Sequence, residues 1–104
     1  METKMPTKRE MERARRLLNT ALNEVEGMER KGRMERDEDL WALIWSAWGP
    51  VCIYCAMPKS GYTDAEHARK SLDDALEAVD ICAEALVDRC PEYRDAIMAE
   101  LEVA

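Results

Sequence analysis

The sequence contains few of the residues that common catalytic sites require. Its 104 residues include no Phe, one His and four Gly. The glycines form no phosphate-binding loop, no G-x-S-x-G sequence is present, and His67 alone would have to serve any Ser or Cys nucleophile. We therefore expect no enzymatic activity of the classical kinds, no catalytic residue and no cofactor.

One long segment of the chain carries no charge. The chain is 36% charged, yet residues 40–57, LWALIWSAWGPVCIYCAM, are uncharged throughout. This run only just has the length of a membrane span, Gly49-Pro50 interrupts it, and its Trp residues cluster in one half instead of flanking both ends. We expect a helix that other helices bury, and no membrane contact.

The first residues, METKMPTKRE, are charged and include no apolar segment typical of a secretory signal. We therefore expect a cytoplasmic protein whose cysteines are reduced and mostly structural. Cys52 and Cys55 have the spacing of a zinc knuckle or of a redox pair, and these are the alternatives. A complete zinc site would recruit Cys82 or Cys90 together with His67, but these residues do not form the second close pair of common zinc modules.

Helix patterns dominate the first half of the chain. After a segment expected to be disordered (1–6), Thr7 and Glu10 form a capping box that opens a basic amphipathic helix over residues 7–31, and Gly32 is a suitable stop. The acidic residues 37–39 then open an apolar, Trp-rich helix over residues 37–57. We expect Gly49-Pro50 to break or bend this second helix.

The second half contains two further helices. Thr63 and Glu66 match a second capping box, which opens an acidic amphipathic helix over residues 64–89. Cys90-Pro91 ends it, and a short helix follows over residues 91–102. The chain (1–104) is thus predicted to be one all-α domain, a compact bundle of four to five helices with the Trp-rich helix at its centre.

Charge is divided unevenly along the chain. Residues 1–36 hold ten Lys or Arg against seven Glu, net +3, whereas residues 37–104 hold five against fifteen acids, net −10. We interpret this as pairing between the basic first helix and the acidic third. The acidic helix also suggests an alternative function, a phage-type inhibitor that imitates nucleic acid, and direct nucleic-acid binding is not expected. The acidic row is Asp73, Asp74, Glu77, Asp80, Glu84 and Asp88.

Two carboxylate pairs suggest a metal site. Residues 26–29 form an E-x-x-E unit and residues 77–80 an E-x-x-D unit, and carboxylates three positions apart share a helix face. This combination resembles the Mg²⁺ site of the all-α nucleotide pyrophosphohydrolases of the MazG type, and the resemblance implies a nucleotide hydrolase. It is confined to four residues, Gly27 interrupts the first unit, and the interval between Glu29 and Glu77 exceeds that family's usual gap. We assign no family and no metal.

The Trp-rich helix is the main functional candidate. Trp41, Ile44, Trp45 and Trp48 are predicted to share one face, and Leu40, Leu43 and Ala47 occupy much of the other. A monomer of this size would struggle to cover both faces. We expect a small protein-interaction module, homo-oligomeric or bound to another protein, that uses the tryptophan face. The alternatives are that the run is simply the monomer's core, or that a cavity lined by Trp and rimmed by Arg binds a nucleotide-like ligand.

Overall fold

The computed structural model describes residues 3–103, and these residues confirm the all-α prediction. They form four α-helices, which are α1 (Lys8–Arg30), α2 (Glu38–Ala56), α3 (Ala65–Arg89) and α4 (Arg94–Val103). Two 3-10 turns, Lys59–Gly61 and Pro91–Tyr93, precede α3 and α4. The described part of the chain contains no strand.

Both ends of α1 follow the sequence pattern. The Thr7 hydroxyl accepts a hydrogen bond from the Glu10 amide at 3.0 Å, and the Thr7 amide donates to the Glu10 carboxylate at 3.1 Å. At the other end Gly32 has φ +72°, which is the left-handed conformation that favours glycine. The Gly32 and Arg33 amides donate back to the Glu29 and Met28 carbonyls, so a Schellman motif ends the helix as predicted.

The segment before α1 is packed against the bundle. Pro6 is fully buried, the Lys59 ammonium donates to its carbonyl, and the Arg69 guanidinium donates to the Lys4 carbonyl at 3.4 Å. Met5 also packs against the core, so residues 3–6 lie against the bundle where the sequence analysis expected disorder. Residues 1 and 2 lie outside the described range.

Helix α2 continues through Gly49-Pro50, so the predicted break is not found. Proline has no N–H, so the carbonyl of Ser46 loses its partner in the helix. Ser46 is exposed, and water can satisfy that carbonyl. Val51 and Tyr54, beyond the proline, are buried against the neighbouring helices, and this packing outweighs the missing hydrogen bond.

The start of α3 differs by one residue from the predicted capping box at Thr63. Asp64 is the N-cap, and its carboxylate accepts a hydrogen bond from the His67 amide at 3.1 Å. Asp and Thr are both good N-caps, so a sequence that offers them in succession does not fix the register.

Three helices form the core and α4 covers one side. Lys8 at the start of α1 contacts the end of α2, and Arg89 at the end of α3 reaches Asp37 at the start of α2, so α2 runs antiparallel to α1 and α3. Each of α1, α2 and α3 packs against the other two, whereas α4 packs mainly on α3 and α1. The structure does not confirm a central position for the Trp-rich helix. Within residues 3–103, no helix has both the length and the apolar character needed to span a membrane.

Candidate interaction surface

Helix α2 has a buried side that belongs to the core. Residues spaced three or four apart along it are almost inaccessible to solvent, as expected for one face of a helix. They are Leu40, Ile44, Ala47, Val51 and Tyr54. These side chains meet the apolar stripes of α1 and α3, which supply the other walls of the core.

The opposite side of α2 is apolar as well, but no part of the described chain covers it. Trp45 is 54% exposed and Ile53 is 61% exposed, which is unusual for large apolar side chains. The surrounding residues are small, and none between Asp39 and Lys59 carries a charge. We call this surface the outward face of α2, and it consists of Ala42, Trp45, Ser46, Gly49, Cys52, Ile53 and Ala56.

The structure separates the four residues that the sequence analysis placed on one contact face. Trp41 and Ile44 are buried in the core, and Trp48 is partly buried against it. Only Trp45 is exposed. Sequence reasoning missed Ile53, although its position eight residues after Trp45, about two helical turns, would have placed both on one side of the helix.

Trp41 holds Trp45 in place. The Trp41 indole N–H donates to the Glu29 carboxylate, with oxygens at 2.7 and 2.9 Å, and the Arg36 guanidinium lies 5.1 Å from the Trp41 ring. The Trp45 ring stacks on Trp41 with 6.2 Å between centroids and 25° between planes. Trp45 is therefore exposed but supported on one side, so it loses little side-chain freedom when it binds a partner.

A surface hollow of about 510 Å³ lies beside Trp45. It is lined by Trp41, Trp45, Glu26, Glu29, Arg30 and Arg36. The hollow combines Trp and Arg side chains, which are the residue types expected of the predicted nucleotide cavity. It is open to solvent, however, and the bundle does not enclose it. Arg30 pairs with Glu26, and Arg36 pairs with Glu38 at 2.7 Å, so an incoming phosphate would compete with carboxylates for both arginines.

The two ends of α2 carry opposite charge. Asp37, Glu38 and Asp39 lie at its start, and Asp37 caps it by accepting from the Leu40 amide at 3.1 Å. At its end the Lys8 ammonium donates to the carbonyls of Cys55 and Met57, at 2.8 and 2.7 Å. These contacts satisfy groups left free at helix ends and agree with the helix dipole.

The thiols do not gather into one site. Cys52 and Cys55 lie half-buried on α2, whereas Cys82 and Cys90 are buried. Burial raises the pKa of each thiol, and raises the pKa of Cys82 to about 11, so all four are protonated at neutral pH. Within residues 3–103, no group of three or more Cys, His, Asp or Glu side chains is placed to hold a metal ion.

The carboxylates behind the MazG resemblance also lie apart. Glu29 accepts from the Trp41 indole and Glu26 pairs with Arg30. The ion pair between Glu10 and Arg69 shows that these two residues lie at the same level of the parallel helices α1 and α3. Glu29, nineteen residues after Glu10, therefore lies level with the end of α3. At 1.5 Å per residue, Glu77 and Asp80 lie roughly 12 Å or more further back along the bundle.

The acidic row on α3 is a solvent-facing strip. Five of its members are exposed and the sixth, Asp74, is partly exposed and binds Lys70 at 2.7 Å. The predicted pairing with the arginines of α1 does not account for the contact between these helices. The ion pair that links them in the described residues joins Arg69 of α3 to Glu10 of α1, at 3.8 Å, which is the opposite sense.

No family model, no curated protein and no solved structure matches the chain. Relatives therefore supply no argument about function, and the assignment rests on what the surface itself can do.

Proposed function

We propose that the protein is a protein-interaction module and that the outward face of α2 is its binding surface. The observation that carries this proposal is the exposure of Trp45 and Ile53 on one uncharged helix face. Contiguous exposed apolar surface on a folded domain is typical of a binding site.

The chemistry of this face favours a protein partner over a small molecule. A helix face with one supported Trp and small neighbours is convex, whereas small-molecule sites are concave and enclose most of the ligand. Tryptophan is among the residues that most often dominate the energy of protein interfaces. Ser46 adds no unsatisfied hydroxyl, because its Oγ donates to the Ala42 carbonyl at 2.8 Å.

The other exposed large apolar residues lie in a different setting. Ile81 on α3 is 38% exposed and Met98 on α4 is 40% exposed. Ile81 follows Asp80, and Met98 lies in a groove that Asp80, Glu84 and Asp88 also line. Single apolar side chains among charges are normal on protein surfaces, so these two residues provide a matched control.

Affinity capture from cells that make the protein tests the proposal. Trp45→Ser with Ile53→Ser should abolish retention of a protein that the wild type binds, whether that protein is another copy or a different chain. Ile81→Ser with Met98→Ser removes the two other large apolar side chains that are exposed in the described residues, and this variant should retain the partner. Equal binding by wild type and the α2 variant would overturn the proposal.

The acidic row supports a second candidate, an inhibitor that occupies the phosphate-binding surface of a nucleic-acid-binding protein. Asp73, Glu77, Asp80, Glu84 and Asp88 are exposed along sixteen residues of helix, about 22 Å, and present a line of negative charge. In this case a captured partner should be released by added DNA and lost when Glu77, Glu84 and Asp88 become amides. A partner unaffected by both treatments would exclude this candidate.

A further inference from the structure

We infer that the outward face of α2 binds a second copy of this chain, with the two α2 helices antiparallel and crossing near Gly49. This inference rests on the proposed function and names the partner. It follows from three properties of the face: the distribution of side-chain size, the distribution of charge and the space around Gly49.

Side-chain size varies along one flank of the outward face. This flank carries the large Trp45 and, after it, the small Gly49, Cys52 and Ala56. In an antiparallel pair, Trp45 of each copy lies over the small residues of the other, so the same contact forms twice. A parallel pair would set Trp45 of each copy beside Ala42 and Ser46 of the other, so side-chain size fits both orientations and charge distinguishes them.

Ile53 fits the same arrangement from the other side of the face. Ile53 lies four residues after the crossing point at Gly49. Ala42 and Ser46 lie seven and three residues before that point. Antiparallel pairing therefore brings Ile53 of one copy opposite the small Ala42 and Ser46 of the other. Both large residues of the face are matched with small ones, without help from any other part of the chain.

Charge distinguishes the two orientations. The uncharged face is bounded by Asp37, Glu38 and Asp39 at the start of α2, where Arg89 pairs with Asp37 and Arg36 with Glu38, and by Lys8 and Lys59 at its end. An antiparallel second copy sets the acidic end of each helix against the basic end of the other. A parallel copy would oppose like charges at both ends, which is destabilising.

Gly49 allows the helices to approach closely. Apart from its chain neighbours and the local helix backbone, a Cβ atom added at Gly49 would meet no atom within 4 Å, so packing against the other helices of the monomer does not require the glycine. Glycine in a helix interior costs stability relative to alanine, and a close backbone approach is a common compensation. Gly27 of α1 also has no neighbour within 4 Å of an added Cβ and provides a matched control outside the face.

Sedimentation equilibrium at physiological salt over a micromolar concentration series is the first test. The wild type should fit a monomer–dimer equilibrium, because a single helix pair is a small interface. Gly49→Leu should lower the association constant about tenfold or more by holding the helices apart, whereas Gly27→Leu should leave it unchanged. Gly27→Leu should retain the thermal midpoint or raise it, whereas a Cβ at position 49 adjoins Pro50 and disfavours the helical conformation there, so association of Gly49→Leu is compared only at temperatures where its own melting curve shows it folded.

Cross-linking with a short bis-maleimide tests the orientation. The background is Cys52→Ala with Cys55→Ala, and its dimerisation must match that of the wild type. An equal mixture of Ala42→Cys and Ala56→Cys chains should cross-link between the two variants. Neither variant alone should cross-link, because its own two cysteines lie on the order of 20 Å apart in the antiparallel pair.

The outcomes distinguish this inference from the proposed function. The inference of an antiparallel dimer is overturned if the wild type stays monomeric throughout the concentration series. It is also overturned if each single-cysteine variant cross-links with itself. If the α2 double variant nevertheless loses a different captured protein, the outward face is still a binding surface and only the identity of its partner changes. If neither self-association nor capture depends on this face, both proposals are wrong.

Discussion

The two sides of α2 have similar composition but opposite environments. Ile44 is fully buried, and Ile53, nine residues later on the same helix, is 61% exposed. Trp41 is buried and hydrogen-bonded, whereas Trp45, one turn away, rests on it and faces solvent. Hydrophobicity alone therefore does not determine which side of this helix is core.

The neighbouring helices make the difference. The apolar stripes of α1 and α3 are each one face wide, and their packing against each other and against α2 covers only one side of α2. The fourth helix could have covered the other side, but it packs mainly on α3 and α1. Within residues 3–103 the helices carry more apolar surface than they bury, and this excess is the surface that we propose a partner covers.

The largest contrast is expected between two identical substitutions. Ile44→Ala opens a cavity in the core and should lower the free energy of unfolding by ~2–5 kcal/mol. Ile53→Ala should change it by less than ~0.5 kcal/mol under conditions where the protein is monomeric, because the side chain is mostly exposed. Urea denaturation measures both, and equal losses would mean that α2 is covered on both sides.

A smaller effect is expected from the support beneath Trp45. Trp41→Phe removes the indole N–H that donates a hydrogen bond to the Glu29 carboxylate. The Glu29 side chain is only 15% exposed, and it would then lack this donor. The expected loss of unfolding free energy is ~1–3 kcal/mol. The same substitution in a Glu29→Gln background should cost less, because an uncharged amide is cheaper to leave unpaired. Equal costs in the two backgrounds would show that the hydrogen bond contributes little.

The smallest effect concerns the acidic end of α2. The amide of Leu40 and the guanidinium of Arg89 lower the pKa of Asp37 below its ordinary value of 3.8. The stability that the ionised carboxylate contributes is therefore present above about pH 4 and is lost as the pH falls through the lowered pKa. Asp37→Asn keeps a capping oxygen but cannot ionise.

Thermal midpoints measured between pH 7 and pH 2 test this assignment. The variant should unfold at a lower temperature than the wild type at pH 7, and the difference should shrink toward pH 2. A difference that stays constant with pH would assign the effect of Asp37 to helix capping alone.

The sequence predicted the helices well where a local pattern existed. Thr7, Glu10 and Gly32 specify the ends of α1 through backbone hydrogen bonds that depend on a few adjacent residues. It predicted the continuity of α2 poorly, because the cost of Pro50 is local whereas the packing of Val51 and Tyr54 that offsets it is tertiary. It failed to divide the tryptophans between core and surface for a related reason: a run without charged residues has no polar face to mark the solvent side.

Trp45→Ala gives the most direct test that the outward face of α2 is a contact surface, with two measurements on one variant. At a concentration where the wild type is monomeric, the account predicts a loss of unfolding free energy of about 1 kcal/mol or less, since half of the side chain is already exposed. Sedimentation equilibrium should show association weakened by about 2 kcal/mol or more. A loss of roughly 3–5 kcal/mol in fold stability with association unchanged would contradict the account, because Trp45 would then be a core residue.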